Sequence, residues 1–358
     1  MLAHVNTSGF AALLYPTVNR DGRETAVAVV RATFELNRAG RLEPAEEQVP
    51  VRLEDVYFGD PGVSSSLEES DLAVYKPGTD VVVVGDAYAP KGRPTTSVQV
   101  GVRVGDLHKS AMVTGDREYR PAFGVGPLAA SAPMTFTSMP LVWERTFGGT
   151  DPTTIDDDRP QFDPRNPVGC GFGTVAPGQK LPNVYPLDGG GTDSSREEPW
   201  GFSPVGRGWL PRYPLAGTYD ATWQKERIPF LPLDFDYRFF QCAPRGLMSA
   251  QHLRGDEPVR IINMSPEGEQ AFMLPGLVMG LIIRIDRKPA QRCLAALDTV
   301  VLEPARRRVT LVWRRAIVCR RSATEVFQVL SFAVSRRGAR AAIGAEADQP
   351  VGEPTWTS

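Results

Sequence analysis

The sequence predicts a mainly β protein: antiparallel sheets forming a sandwich or barrel-like core, with a long Gly/Pro-rich irregular layer and minor helix. Three observations carry this. Apolar and polar residues alternate with period two through runs rich in Val and Thr, the pattern of half-buried strands. Glycine and proline are abundant, 34 and 32 of 358 residues, which implies many turns. These turn formers crowd into one internal region, where strand-like runs stop.

Taken in order, Ala26 to Leu36 (AVAVVRATFEL) is the first strand-like run, and Asp80 to Ala87 (DVVVVGDA) has the continuous apolar character of a buried strand. Thr96 to Val104 and Leu107 to Thr114 flank Gly105-Asp106, a two-residue turn that closes a hairpin. The first 115 residues therefore read as antiparallel β. From Arg145 to Leu215, 23 of 71 residues are Gly or Pro. Phe147, Phe162, Phe172, Tyr185, Trp200, Phe202, Trp209 and Tyr213 are too many aromatics for a solvated linker, so an ordered loop layer packed on the sheet is expected. Asp188 to Glu198 (DGGGTDSSREE) reads as its mobile tip. Strands resume at Val259 to Asn263, Gly276 to Asp286, Thr299 to Glu303 and Arg307 to Arg314, with a turn at Glu303 to Arg306. Thr324 to Ser331 and Phe239 to Leu253 fit short helices or strands equally. The organisation expected is an N-terminal antiparallel β region (1–144), the loop layer (145–215), a C-terminal β region packed with the first as one composite domain (216–340), and a flexible tail (341–358).

Composition narrows the function classes. Forty Lys and Arg against 42 Asp and Glu leave a net charge of −2, and 42% apolar residues fill a substantial core. Near-neutral charge argues against nucleic acid as the partner. Cys170, Cys242, Cys293 and Cys319 form no CxxC pair, so neither a zinc ribbon nor a dense disulfide scaffold is indicated. Met1 to Tyr15 lacks a basic leader region, and Phe272 to Ile283 is broken by Pro275, far short of the ~20 residues a membrane helix needs. A cytoplasmic location without membrane contact is expected. Residues 284 to 340 carry 14 Lys or Arg against 4 Asp or Glu. The clusters at 306–308, 314–315 and 320–321 fit either a basic docking face, with Arg307, Arg314 and Arg315 as its members, or a solvated strand edge protected by charge.

A search for catalytic constellations returns little. His4, His108 and His252 are far apart, with no HExxH and no GxSxG elbow. The glycines at 169–173 and 189–191 lack the trailing Lys-Ser/Thr of a phosphate loop, and Asp156 to Asp158 do not continue as an EF-hand. No cofactor or metal is indicated. Leu233 to Arg238 (LDFDYR) is sharper: on a strand, Asp234 and Asp236 share a face with Arg238 in reach, and Asp220 is a potential neighbour. Such a pair fits a glycosidase, with two carboxyl groups flanking the scissile bond, or a structural network neutralised by Arg238.

The order of motifs adds a further reading. Lys76 to Val81, Gly85 to Pro90, Gly115-Asp116-Arg117, Met139 to Leu141 with Glu144 to Gly149, Asn166 to Gly171, Leu181 to Asn183, Gly217 to Trp223 and Leu231 to Asp236 follow one another along the chain. Together they resemble a bacterial family, catalogued as a domain of unknown function, that is encoded beside type VI secretion spike proteins and toxic effectors. The resemblance covers residues 10 to 335. It departs at Glu118-Tyr119, where the family usually has Trp, and at Val184-Tyr185, where it usually has an acidic residue.

The resemblance implies a non-enzymatic cytoplasmic adaptor or chaperone, with a secreted effector, a spike protein and a PAAR-repeat tip as partners. Its motif residues here are Lys76, Asp80, Gly85, Arg117, Phe147, Gly148, Gly149, Asn166, Gly169, Asn183, Gly217, Tyr219, Asp220, Trp223, Asp234 and Asp236. The short polar ones are suited to bonding nearby backbone, and Arg117 to bridging carboxylates, which favours a scaffold role over direct contact.

Overall fold

A computed structural model describes residues 3–122, 126–187, 197–285, 289–319, 322 and 326–343. The protein is mainly β, 42% strand and 9% helix, around a nearly closed barrel-like sheet. The principal strands are β1 (Ala3–Asn6), β2 (Ala11–Val18), β3 (Glu24–Leu36), β4 (Leu42–Pro44), β5 (Asp80–Val83), β6 (Ser97–Val104), β7 (Leu107–Thr114), β8 (Val184–Pro186), β9 (Pro258–Ile262), β10 (Glu269–Met273), β11 (Leu277–Ile285), β12 (Gln291–Glu303), β13 (Arg308–Val318) and β14 (Val326–Ser335).

The large sheet runs β1-β14-β11-β12-β13-β3-β2, with β4 added beside β3 and β5 beside β12. Its two end strands are consecutive in the chain, so residues 7–10 tie the ends together, and Phe10 turns inward onto Phe34 at 5.5 Å. The second sheet runs β8-β7-β6-β9-β10. N- and C-terminal regions share both sheets, because β3 pairs with β13 and β6 with β9. One apolar cluster joins them, including Val100 and Ile261 from the smaller sheet and Phe34, Leu281, Leu311 and Trp313 from the larger. Burying a side chain such as Phe34 or Leu281 contributes about 1.5–3 kcal/mol.

The strand-like runs lie on strands, with three differences. First, not every pair is antiparallel: β1 runs parallel to β14, and β5 parallel to β12. Second, Thr299 to Glu303 is only the end of a 13-residue strand, whose earlier half (Gln291 to Asp298) has interrupted alternation. Third, the turn at Glu303 to Arg306 is a 3-10 turn over Pro304–Arg306, closed by Arg307 in the left-handed region at φ 53°. Of the two ambiguous segments, 326–335 is strand, whereas 241–253 is irregular after a 3-10 turn at Tyr237–Phe240. Residues 188–196 of the expected mobile tip, and 344–358 of the tail, lie outside the described residues; Arg336–Ile343 form a helix. Among the described residues no helix is long and apolar enough to cross a membrane.

The loop layer is held by polar side chains and close glycine contacts. Asn166 is fully buried and its Nδ2 donates to Trp143 O, Thr146 Oγ1 and Phe147 O at 2.8–2.9 Å. Gly148 has φ 139°, and a Cβ there would fall 2.2 Å from Asn166 O, so no larger residue fits. Asn183 Nδ2 donates to Thr114 O and Asp116 Oδ1, both at 2.9 Å, which fastens the layer to β7.

Candidate partner-docking surface

Residues 212 to 240 contain no long element, and their course is set by three carboxylates. Gly217 takes φ 85° with room for no Cβ, because that atom would fall 2.8 Å from Asp234 Oδ1. This brings Thr218 onto Asp234, to which its N and Oγ1 donate at 3.0 and 2.8 Å. Asp220 caps the short helix α1 (Ala221–Glu226), its Oδ1 accepting from Trp223 N at 2.8 Å. Asp236 caps the turn Tyr237–Phe240 through Arg238 N and receives the Arg238 guanidinium on its Oδ2. On the far side Trp223 Nε1 donates to Phe230 O at 2.9 Å, and Arg227 Nη2 donates to Leu231 O and Arg20 O. Beneath lie the buried rings of Phe235 and Tyr237, 5.8 Å apart and nearly perpendicular. The loop is therefore braced from both sides.

Among the loop's exposed side chains are five large apolar ones. Tyr213, Tyr219, Ile228, Phe230 and Leu233 are all exposed, Leu233 to 71% and Tyr219 to 53%. Trp223 lies half-buried against Tyr219, ring centroids 4.6 Å apart. The Tyr219–Trp223 ring contact and the Trp223–Phe230 and Thr218–Asp234 bonds tie residues 218–234 together as a braced shelf that carries Tyr219, Ile228, Phe230 and Leu233. Such concentrations of exposed apolar side chains mark interaction sites on folded proteins.

This geometry corrects the strand placement of Asp234 and Asp236. Neither is on a strand: Asp234 lies in the turn after Pro232 and Asp236 opens the turn Tyr237–Phe240, and both are held below the ordinary carboxylate range. For Asp234 the cause is the backbone and hydroxyl donors of Thr218; for Asp236 it is the Arg238 guanidinium. A glycosidase pair needs one carboxyl raised so that it can deliver a proton, and this pair has none.

The other motif residues lie elsewhere in the fold. Lys76 and Asp80 form a buried ion pair at 2.8 Å, and Asp80 also accepts from Cys242 N and Ala243 N. Burial alone would lower the Lys76 ammonium, yet Asp80 raises it above its ordinary value. Gly85 accepts from Leu141 N. Arg117 donates to Pro182 O at 3.0 Å. Phe147 stacks edge-on with Phe172, and Gly149 and Gly169 meet backbone to backbone. Arg117, Phe147, Gly149 and Gly169 fix the loop layer, whereas Lys76, Asp80 and Gly85 tie β5 and the residues beside it to the segments around 141 and 242–243.

Of the basic residues expected on a docking face, Arg314 is turned inward and Arg307 and Arg315 are half-buried. Arg314 is 3% exposed, because its position on β13 points it beneath the 71–73 segment, where its Nε donates to Asp298 at 2.6 Å and its Nη1 to Asp71 O and Ala73 O. Arg307 is occupied by Leu36 O, Asn37 O and Glu267, and Arg315 reaches Leu294 O. Arg320 and Arg321 lie outside the described residues.

The family motifs include Tyr219, Trp223 and Asp234 of this surface but not Ile228, Phe230 and Leu233, which are exposed beside them. The available signal was IPFLPL, an apolar run (228–233) interrupted by Pro229 and Pro232, which no central strand accommodates. Among the described residues no group of three or more His, Cys, Asp or Glu is placed to hold a metal ion.

Fold and surface together define a mainly β, barrel-like protein that carries an aromatic loop layer on its sheets. The chain belongs to the family described as "Uncharacterized protein conserved in bacteria (DUF2169)", which matches residues 21–314. No curated protein and no solved structure matches it.

Proposed function

We propose that the protein is a non-enzymatic, cytoplasmic adaptor or chaperone of type VI secretion, which binds a toxic effector and helps load it onto the spike and its PAAR-repeat tip. The observation that carries the reading is the exposed shelf of Tyr219, Ile228, Phe230 and Leu233 on a braced loop. Apolar side chains fixed in this way can bury against a partner with little loss of conformational freedom, the arrangement that gives affinity to protein-binding surfaces. The ordered motifs shared with the family encoded beside spike and effector proteins supply the partner class.

The test is affinity purification of tagged protein from its own lysate at ~150 mM salt, where long-range surface attraction is screened, followed by mass spectrometry. Stoichiometric recovery of an effector or spike protein with wild type, and its loss with Leu233→Asp, is the expected result. A clean preparation from wild type overturns the proposal.

A further inference from the structure

Charge around the shelf is uneven. Asp236 is neutralised by Arg238, and Asp21 lies 3.9 Å from Arg20. Asp220 and Asp234, by contrast, are both exposed, and no arginine or lysine among the described residues makes an ion pair with either. Both carboxylates are fixed in place: Asp234 by two donors from Thr218, Asp220 by Trp223 N on Oδ1 alone. They bracket Tyr219, whose ring leans on Trp223 at 70°. Around them Leu233, Ile228 and Phe230 are apolar, Lys225 and Glu226 on α1 offset one another, and the Arg227 guanidinium, bonded to Leu231 O and Arg20 O, lies 5.8 Å from the Phe230 ring centroid.

We propose that the shelf accepts a partner segment in which an arginine or lysine is flanked by apolar residues, the cation lying over the Tyr219–Trp223 pair between Asp220 and Asp234 and the apolar neighbours covering Phe230 and Leu233. This deepens the adaptor reading and rests on it. An aromatic face attracts a cation, more strongly when the partner covers it from water. Two fixed carboxylates beside the rings add charge-assisted hydrogen bonds for a guanidinium or ammonium. An acidic segment would meet two unneutralised carboxylates at the same place, so it is selected against.

The test uses the full chain, immobilised, and a phage-displayed library of random 12-residue peptides panned at about 150 mM salt, where only short-range contacts survive screening. Enriched sequences are then measured against wild type, Tyr219→Ala, and the double variant Asp220→Asn/Asp234→Asn. Asparagine keeps the one acceptor oxygen that caps α1 at 220 and the one that meets Thr218 N at 234, where its Nδ2 can donate to the Thr218 hydroxyl in place of the second oxygen, so the double variant removes the charges at little cost to the loop. Expected are sequences with Arg or Lys between apolar residues that weaken about tenfold on the double variant and on Tyr219→Ala. Acidic or uncharged winners, basic winners indifferent to the double variant, or no enrichment overturn the inference. The adaptor reading is scored separately: if Leu233→Asp abolishes co-purification of the native partner while Asp220→Asn/Asp234→Asn leaves it intact, docking at the shelf stands and its preference for a cation falls.

Discussion

Replacing Arg314 by methionine separates a structural from a docking role for the basic C-terminal strands. In the folded protein its guanidinium holds Asp298 at 2.6 Å, with the two side chains 3% and 1% exposed. Of the two carbonyls it also serves, Ala73 O keeps the Tyr15 hydroxyl and Asp71 O keeps Ala73 N, so both remain bonded without it. The main loss is therefore at Asp298, a buried carboxylate left with the Thr299 hydroxyl at 2.9 Å. Although burial works against it, Arg314 and then Lys76 hold Asp298 ionised in the native state. Breaking one side of a buried pair costs about 3–5 kcal/mol, a large share of a typical stability of ~5–15 kcal/mol. In urea this corresponds to a midpoint lower by on the order of 1–2 M. Two controls fix the interpretation. Arg306→Ala, in the same basic run but 70% exposed, should shift stability by less than about 0.5 kcal/mol. Arg314→Met with Asp298→Leu should recover most of the loss, because no unpaired charge remains buried. An unchanged midpoint for Arg314→Met, or no recovery in the double variant, refutes this account.

Three other outcomes are expected. Burial pushes the Lys109 ammonium down to about 7, with Arg245 acting the same way and Glu198 opposing; since the unfolded chain binds this proton up to about pH 10, Lys109 adds about 2–3 kcal/mol of stability between pH 6 and 9. Urea titrations of wild type and Lys109→Met at both pH values should show wild type gaining on the variant by that amount from pH 6 to pH 9, so that the variant fares relatively better in acid. Burial also raises the Cys170 thiol to about 11 and Cys242 well above its ordinary value, so both should resist iodoacetamide at pH 8 until urea unfolds the chain, as read by peptide mass spectrometry. Asn166→Ala removes the donor shared by three acceptors around Trp143 to Phe147 and should cost about 1–3 kcal/mol, seen as faster limited proteolysis within 145–187.

Strands with clean alternation were legible from sequence because their two faces differ: Val98, Val100, Val102 and Val104 of β6 face the core, and the residues between them do not. β1 and β2 were not, because they sit at the ends of the sheet, β1 largely exposed and β2 half-buried on both faces, and Pro16 interrupts the pattern where an edge strand tolerates it. Arg314 misled for a related reason. The outer face of the barrel at β3, β12 and β13 is covered by residues 48–76, so Arg31 and Arg314 lie beneath chain that no local pattern reveals. The shelf was half legible. Carboxylates at turn positions announce a braced loop, but exposure of Leu233 or Ile228 depends on what fails to cover them, which is a property of the whole fold.

The scaffold and contact readings of Asp220 and Asp234 are not alternatives. Each carboxylate has two oxygens and one charge. At Asp220 a single oxygen caps the helix, and at Asp234 both oxygens bond the same residue, Thr218, on its inner side. Neutral donors of this kind fix a carboxylate in place without cancelling its charge, whereas Arg238 cancels that of Asp236. The loop thus orders itself with the groups it displays, and the energy that orders it is gained on folding, before any partner arrives. Substitution by asparagine separates the two functions, since it keeps one acceptor oxygen at each position, offers the Thr218 hydroxyl an amide donor in place of the second, and discards the charge. A loss of binding without a loss of stability in Asp220→Asn/Asp234→Asn is the signature of carboxylates that do both, and a loss of stability alone would confine them to the scaffold.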